Sequence, residues 1–193
     1  YANMEGGDRC ISRGVLGMMM PTAYNNGTLI VQAPGYVVLH SEMIHNARII
    51  PIDAGAHVDA DIGLWEGDPR GHWEGNTLVI ETTNFSPKFR YRESGEHRRL
   101  VERYSPLEAD TLSYEITVDD PTVWTAPWTV RQELRRQNGQ QNRIYYEPRC
   151  HEGNYGLPAL LIGSRMDEQA FDEGRGPDPF SLDTATCVTG LQD

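Results

Sequence analysis

The chain has 193 residues, a formal net charge of −11 and a hydrophobic fraction of 38%. This length suits one sizeable domain with a real core, and the hydrophobic fraction indicates a globular chain. The strong negative charge argues against nucleic acid as the main partner, since binding to a phosphate backbone needs a basic surface. No apolar run approaches the roughly 20 residues of a membrane-spanning helix, so no membrane insertion is expected.

Residues 1–27 show no clean hydrophobic period, and we predict an extended N-terminal arm over this range. The chain begins YANMEGG, which indicates a fragment, a processed product or a mature secreted form. The chain has three cysteines, an odd number. One disulfide bond plus one free thiol is the simplest oxidised state, with Cys10–Cys150 as the predicted pair. Three reduced thiols are the alternative.

Short strand patterns begin at Thr28. TLIVQA and YVVLHSE flank the turn signal Pro34-Gly35, and ARIIPI follows as a third strand. A loop over residues 53–71 then carries His57, Trp65 and the turn signals EGDPRG. In HWEGNTLVIETT, a Gly-Asn pair at residues 75–76 separates two strand patterns and predicts a hairpin.

The later strand patterns are RRLVERY, TLSYEITVDD, WTVRQELRRQ and RIYYEP, which brings the total to roughly eight strands with little helix. They predict an all-β domain over residues 28–163. Its expected form is an antiparallel meander that closes into a calycin- or lipocalin-like barrel, with a β-sandwich as the alternative. Residues 164–193 are rich in Asp, Glu, Gly and Pro, and we predict a tail that is disordered or wraps another surface.

Four stretches resemble a large family of uncharacterised, mostly secreted bacterial proteins: EMIHNARIIPID, RGHWEGNTLVIETTNF, VERYSPLEADTLSYEITVDDPTVWTAPWT and CHEGNYG. Members typically carry W-E-G-D-T-L-V-V and D-D-P…W-T-x-P-W segments, and this chain has Asn76 where the family often has Asp. The resemblance covers roughly residues 10–160. It implies a secreted or periplasmic setting and a compact β-domain. It carries over no catalytic residues, because no activity is established for the family.

The stretch LHSEMIH, residues 39–45, is the first candidate site. On a strand, His40 and Glu42 would share one face about 7 Å apart, whereas His45 would point to the other face. A His and a carboxylate on one face can share a metal or act as an acid–base pair. The alternative is an ordinary strand whose polar side chains are solvated or satisfied by hydrogen bonds.

Two further stretches extend this candidate site. CHEGNY, residues 150–155, supplies His151 and Tyr155, and HWE supplies His72 and Trp73. We expect Trp73 to lie in the core or to plug a barrel end, with His72 and Glu74 on the opposite face. The predicted residues fall into three sets. The catalytic set is His40, Glu42, His151 and Tyr155; the ligand-binding set is Arg48, His72, Trp73 and Tyr145; the metal set is His40, Glu42 and His151, for zinc or copper.

Three functions remain open from the sequence. The first is a secreted or periplasmic barrel that binds a small molecule in its lumen. The second is an enzyme that uses the His and Glu residues, with a metal or as an acid–base pair, on a small molecule or carbohydrate. The third is a subunit of an extracellular or envelope assembly, or a homo-oligomer, joined through the terminal arms.

Overall fold

The structure is a computed structural model that describes residues 10–22, 25–137 and 156–178. The chain divides into two compact units, Tyr1–Arg149 and Cys150–Asp193. In its described part, the first unit has a short helix, α1 (Gly14–Met19), followed by eight strands. The strands are β1 (Thr28–Ala33), β2 (Tyr36–Ser41), β3 (Ala47–Pro51), β4 (Asp68–Glu74), β5 (Thr77–Thr83), β6 (Arg99–Glu108), β7 (Thr111–Asp119) and β8 (Trp128–Arg135).

The first three strands form an antiparallel sheet in chain order. Pro34 and Gly35 make the predicted turn between β1 and β2, and Gly35 has φ +78°, which glycine adopts without a Cβ clash. In β2, Val37 and Leu39 are buried, whereas His40 is half-buried on the other face. This period of two is expected for a strand with one face on the core.

The other five strands, β4 to β8, form an antiparallel meander in chain order. The hairpin predicted at Gly75-Asn76 is confirmed, because these two residues join β4 to β5 and Gly75 has φ +60°. In β7, Tyr114, Ile116 and Val118 are all buried, as the alternating pattern predicts.

One hydrophobic core is shared by both sheets and α1. The sheets adjoin at the seam between β3 and β4, where Ile52 and Gly71 form a parallel bridge. A Cβ on Gly71 would lie 2.7 Å from Ile52 Cδ1 and 2.9 Å from Ile50 Cγ2, so any larger residue would force these isoleucine side chains to shift. The core residues are Val15, Leu16, Met19, Val37, Leu39, Ile50, Leu78, Ile80, Phe85, Leu100, Tyr104, Tyr114, Ile116 and Val118.

The described residues confirm an all-β domain but form no closed barrel. Closure requires continuous strand pairing around the whole circumference. At the seam, residues 53–67 leave the sheet, and β3 and β4 meet through an isolated bridge rather than a ladder. The predicted barrel is therefore replaced by two sheets, of three and five strands, around a core filled with side chains.

Two helices occur where the sequence predicts irregular ends. α1 lies within the predicted extended arm, and its residues Val15, Leu16, Met18 and Met19 are buried. In the second unit, α2 (Gly156–Asp172) spans the predicted boundary at residues 163 and 164. The predicted strand RIYYEP lies outside the described residues. In the part of the chain that the structure describes, no helix has the length and apolar character to cross a membrane.

Candidate functional site

The stretch LHSEMIH is not one continuous strand. β2 ends at Ser41, Glu42 has helical backbone angles (φ −61°, ψ −38°), and a 3-10 turn follows over Met43–His45. The Glu42 carboxylate accepts a hydrogen bond from the backbone N–H of Gly27 at 3.1 Å. The shared strand face predicted for His40 and Glu42 does not form, because the strand ends between them.

The predicted residues His151, Tyr155 and Tyr145 lie outside the described residues, so their roles stay predictions. The same holds for the metal set of His40, Glu42 and His151. Over residues 10–22, 25–137 and 156–178, no group of three or more His, Cys, Asp or Glu side chains is arranged to hold a metal ion.

Arg48, predicted to bind a ligand, lies in the interior. Its guanidinium donates two hydrogen bonds to Glu102 on β6, from Nη1 to Oε1 at 3.1 Å and from Nη2 to Oε2 at 2.6 Å. The side chains are 3% and 0% exposed. Burial alone would lower the pKa of Arg48, but the charge and hydrogen bonds of Glu102 raise it above its ordinary value. Arg48 therefore ties the first sheet to the second.

Two tyrosines add hydrogen bonds to the Glu102 carboxylate of this interior pair. The hydroxyls of Tyr114 and Tyr104 both donate to Glu102 Oε1, at 3.0 Å and 3.3 Å. Burial and then the Glu102 charge raise the pKa of both phenols well above the ordinary value. Both therefore stay protonated as donors, and Glu102 has its two oxygens fully engaged inside the protein.

His72 and Trp73 lie on opposite faces of the edge strand β4. His72 and Glu74 share one face, as expected, and His72 Nε2 lies 3.3 Å from Glu74 Oε1. Trp73 is 44% exposed, so the expectation that it fills the core or plugs a barrel is wrong. The physical reason is its place near the end of an edge strand, where no further strand of the described sheet covers it.

A cleft of about 310 Å³ lies at the seam between β3 and β4. One wall is the start of the loop at residues 53–57, and the other is the outer face of the β4–β5 hairpin. The cleft is lined by Asp53, Ala54, Gly55, His57, Arg70, Gly71, His72 and Glu81. Among the predicted site residues that the structure describes, only His72 lies in this cleft.

His57 is the best-positioned titratable group of the cleft. Its Nδ1 lies 3.1 Å from Oδ2 of Asp68, which is 5% exposed. A carboxylate only accepts hydrogen bonds, so Nδ1 carries the proton of this bond. On the other side of the ring, Nε2 lies 4.0 Å from Oε1 of Glu81, a residue that also lines the cleft.

Asp68 is itself held by further donors. Oδ2 also accepts the backbone N–H of Val58 at 2.9 Å, and Oδ1 accepts Nη1 of Arg70 at 2.7 Å. Arg70 continues to the opposite wall, where its Nε donates to the carbonyl of Ala56 at 3.1 Å. One buried carboxylate therefore positions both His57 and Arg70, each through a different oxygen.

The charges at the edge of the cleft are paired with β6. Glu81 accepts a hydrogen bond from Arg99 Nε at 2.8 Å, and this bond holds the pKa of Glu81 below its ordinary value. Glu74 accepts Arg103 Nη2 at 2.5 Å, and this bond, followed by that of His72, lowers the pKa of Glu74. Both carboxylates stay ionised over the neutral range.

The loop that carries His57 is tied down at several points. The Asn84 side chain donates to the carbonyl of Asp59 at 2.8 Å. Near the end of the loop, Oε1 of Glu66 accepts hydrogen bonds from the Ser12 hydroxyl and from Asn46 Nδ2, the latter at 2.9 Å. Burial raises the pKa of Glu66, and these two hydrogen bonds offset part of that rise. His57 thus stands on a segment that is already ordered, as a preorganised site requires.

Sequence reasoning singled out neither His57 nor Asp68 as a site residue. They are 11 positions apart and belong to a loop and to a strand start, so no strand or helix period connects them. The available signal was a histidine near the turn signals EGDPRG, in a loop about 15 residues long. Comparisons with protein-family models, curated proteins and solved structures found no match for the chain.

Proposed function

We propose that this protein is an enzyme that binds a small molecule in the cleft and uses His57 as its general acid–base group. Asp68 is the positioning residue. The observation that carries the proposal is the His57–Asp68 pair, because Nδ1 is held on a buried carboxylate while Nε2 lies on the cleft side near Glu81. His57 replaces the predicted His40 and Glu42 in the acid–base role.

The chemistry follows from the tautomer of the ring. With the proton on Nδ1, neutral His57 has its lone pair on Nε2, where it can accept a proton from a bound molecule. The imidazolium that results faces the negative charge of Asp68, which stabilises it. Proton return from Nε2 completes an acid–base cycle without a metal or redox partner.

We still propose that the protein binds a small molecule, but in the cleft at the β3–β4 seam rather than in a barrel lumen. The space between the sheets is occupied by core side chains and by the Arg48–Glu102 pair, whereas the cleft at the β3–β4 seam is open. A volume of about 310 Å³ is at the lower end for small-molecule sites. The ligand is therefore of metabolite size.

A secreted or periplasmic location is also part of the proposal. Its support is Cys10, which forms a disulfide bond, since such bonds persist in oxidising compartments. Cys150 and Cys187 lie outside the described residues, and the pairing Cys10–Cys150 stays a prediction. Thiol counting on denatured, unreduced protein should find one thiol per chain. A count of three thiols in freshly purified, unreduced protein would contradict this location.

Hydrolysis of p-nitrophenyl acetate tests the acid–base proposal without knowledge of the natural substrate. A neutral, accessible imidazole attacks or activates water on such esters, so the rate reports on His57. We expect His57→Gln to lower the protein-catalysed rate about tenfold or more. Asp68→Asn should lower it less, because the ring remains but loses its orientation.

His97→Gln is the matched control, because His97 is an exposed histidine on the loop before β6. It should leave the rate within twofold of the wild-type value, a change of about 0.4 kcal/mol in the barrier. Equal losses in His57→Gln and His97→Gln would mean that the activity belongs to exposed histidines in general, and the proposal would fail.

A further inference from the structure

The cleft contains hydrogen-bonding atoms that the protein itself leaves unused. Arg70 uses Nε and Nη1 in bonds to Ala56, Asp68 and Pro69, and Glu81 uses Oε1 in its bond to Arg99. Among the described residues, Arg70 Nη2, Glu81 Oε2 and the Asp53 carboxylate have no hydrogen-bond partner. One donor therefore stands beside several acceptors, which also include His57 Nε2.

Two of the full charges of the cleft, those of Arg70 and Glu81, are already balanced within the protein. Arg70 is paired with Asp68 at 2.7 Å, and Glu81 is paired with Arg99 at 2.8 Å. An anionic ligand would find one donor, Arg70, whose charge is neutralised, and would face two carboxylates. A cationic ligand would gain from Asp53 but would meet the guanidinium of Arg70. Neither kind of charged ligand matches all the free atoms.

A hydroxyl group matches them, because it donates one hydrogen bond and accepts others. Adjacent hydroxyls can donate to Asp53, to Glu81 or to His57 Nε2 while accepting from Arg70. Resting on the function proposed above, we infer that the ligand is a small, neutral, polyhydroxylated molecule of monosaccharide size. The cleft volume of about 310 Å³ fits a molecule of this size.

The positions of His57 and Arg70 give one hydroxyl of this ligand a chemical role. Both residues bind the same carboxylate, His57 at Oδ2 and Arg70 at Oδ1 of Asp68, so they are neighbours in the cleft. In the step, the O–H bond of the hydroxyl breaks and an N–H bond forms at His57 Nε2. The oxygen keeps the electron pair and accepts a hydrogen bond from Arg70 Nη2, which stabilises it. No oxidant or reductant takes part.

The test is a ligand titration of the full chain, monitored by two-dimensional NMR. Neutral, anionic and cationic probes are compared. The neutral polyols are myo-inositol, D-glucose, D-galactose and D-mannose, and the charged probes are acetate and ethylammonium. At least one polyol should bind with a Kd of about 1 to 10 mM, the affinity expected of a ligand with about 12 heavy atoms. The protein signals that this polyol shifts should belong to the residues that line the cleft.

Asp53→Asn should weaken the binding of that polyol about tenfold, because an amide replaces a charged hydrogen-bond acceptor. Asp53 is exposed and its side chain makes no hydrogen bond in the described residues, so the variant should fold normally. Glu133→Gln, an exposed carboxylate on β8, is the control and should leave the affinity unchanged.

Binding of acetate or ethylammonium alone, or of no probe at all, would overturn the inferred ligand class. The failure of this inference is distinguishable from that of the proposed function. His57-dependent ester hydrolysis without polyol binding would reject the polyol and keep the acid–base site. The absence of both His57-dependent hydrolysis and polyol binding would reject the acid–base site and the polyol ligand together.

Discussion

Glu102 and Asp68 are both buried carboxylates that hold a basic side chain from another part of the chain, but their surroundings differ. Glu102 binds Arg48, Tyr104 and Tyr114 in the interior, with both of its oxygens used. Asp68 lies at the seam between the sheets, and its partner His57 has one ring nitrogen on the cleft side. The Arg48–Glu102 pair is therefore enclosed by the protein, whereas the His57–Asp68 pair is accessible from the cleft.

This difference separates a structural role from a chemical one. Arg48 is charged at any accessible pH and has no route to a ligand, so the Glu102 pair can only join the two sheets. The His57 imidazole can both accept and donate a proton, and the cleft gives a ligand access to it. The same carboxylate–base chemistry therefore gives stability in one place and reactivity in the other.

The largest effect is expected from Glu102→Gln, which removes the countercharge of buried Arg48. We expect a loss of about 3–5 kcal/mol in the free energy of unfolding, measured by urea denaturation. Arg48→Met provides the second arm of a double-mutant cycle. The Arg48 change should cost less by about 1–3 kcal/mol in the Glu102→Gln background than in the wild type. Additive losses would contradict a direct Arg48–Glu102 interaction.

A smaller loss is expected from Tyr114→Phe, which removes one of the donors to Glu102 Oε1 and keeps the ring. The free energy of unfolding should fall by about 1.5 kcal/mol, the value of a hydrogen bond to a charged group. Tyr36→Phe is the control, because Tyr36 is an exposed residue at the start of β2 and should not change stability. Equal effects of the two variants would mean that the Glu102 network is not formed.

Glu66 lies between the two cases, since one oxygen is bonded and the other is buried without a partner among the described residues. Burial raises its folded pKa, so its contribution to stability is full below the ordinary value of 4.5 and is lost as the pH rises through the folded pKa. Glu66→Gln does not titrate. The stability of the wild type relative to this variant should therefore fall as the pH rises above 4.5, in urea denaturation at each pH. A stability difference between the wild type and Glu66→Gln that does not change with pH would contradict this prediction.

The smallest effect is expected from Glu74→Gln, on the exposed face of β4. Its pairs with Arg103 and His72 are open to water, where such ion pairs contribute little. The urea midpoint should not change measurably. The NMR signals of His72 should move, because the ring loses its charged acceptor. A shifted midpoint would mean that surface pairs support the fold as the interior pair does.

Local patterns made much of the β-domain predictable. The alternation in TLSYEITVDD and the Gly75-Asn76 turn depend on neighbours in the chain, and both are confirmed. Closure into a barrel was not predictable, because it depends on whether β3 and β4 pair along their length. α1 was missed because six residues, with glycine and several methionines, show too little of a helical period.

The site was less predictable than the fold. Arg48 and Glu102 are 54 positions apart, and strand alternation alone does not reveal that they meet. The sequence therefore predicts a ligand-binding role for Arg48, whereas its guanidinium binds Glu102 in the interior. His57 meets Asp68 only because the loop folds back onto the start of β4, and that contact depends on tertiary structure. His40 and Glu42 were selected for a strand geometry that ends at Ser41.

The most direct test of the His57–Asp68 site is the tautomer of the neutral His57 imidazole, measured by long-range proton–nitrogen NMR. We predict a proton on Nδ1 in the wild type and a mixture of tautomers in Asp68→Asn. Glu74→Gln should leave the His57 signals unchanged. A wild-type His57 with its proton on Nε2 would contradict the account, because Asp68 would then not hold the ring and no lone pair would face the cleft.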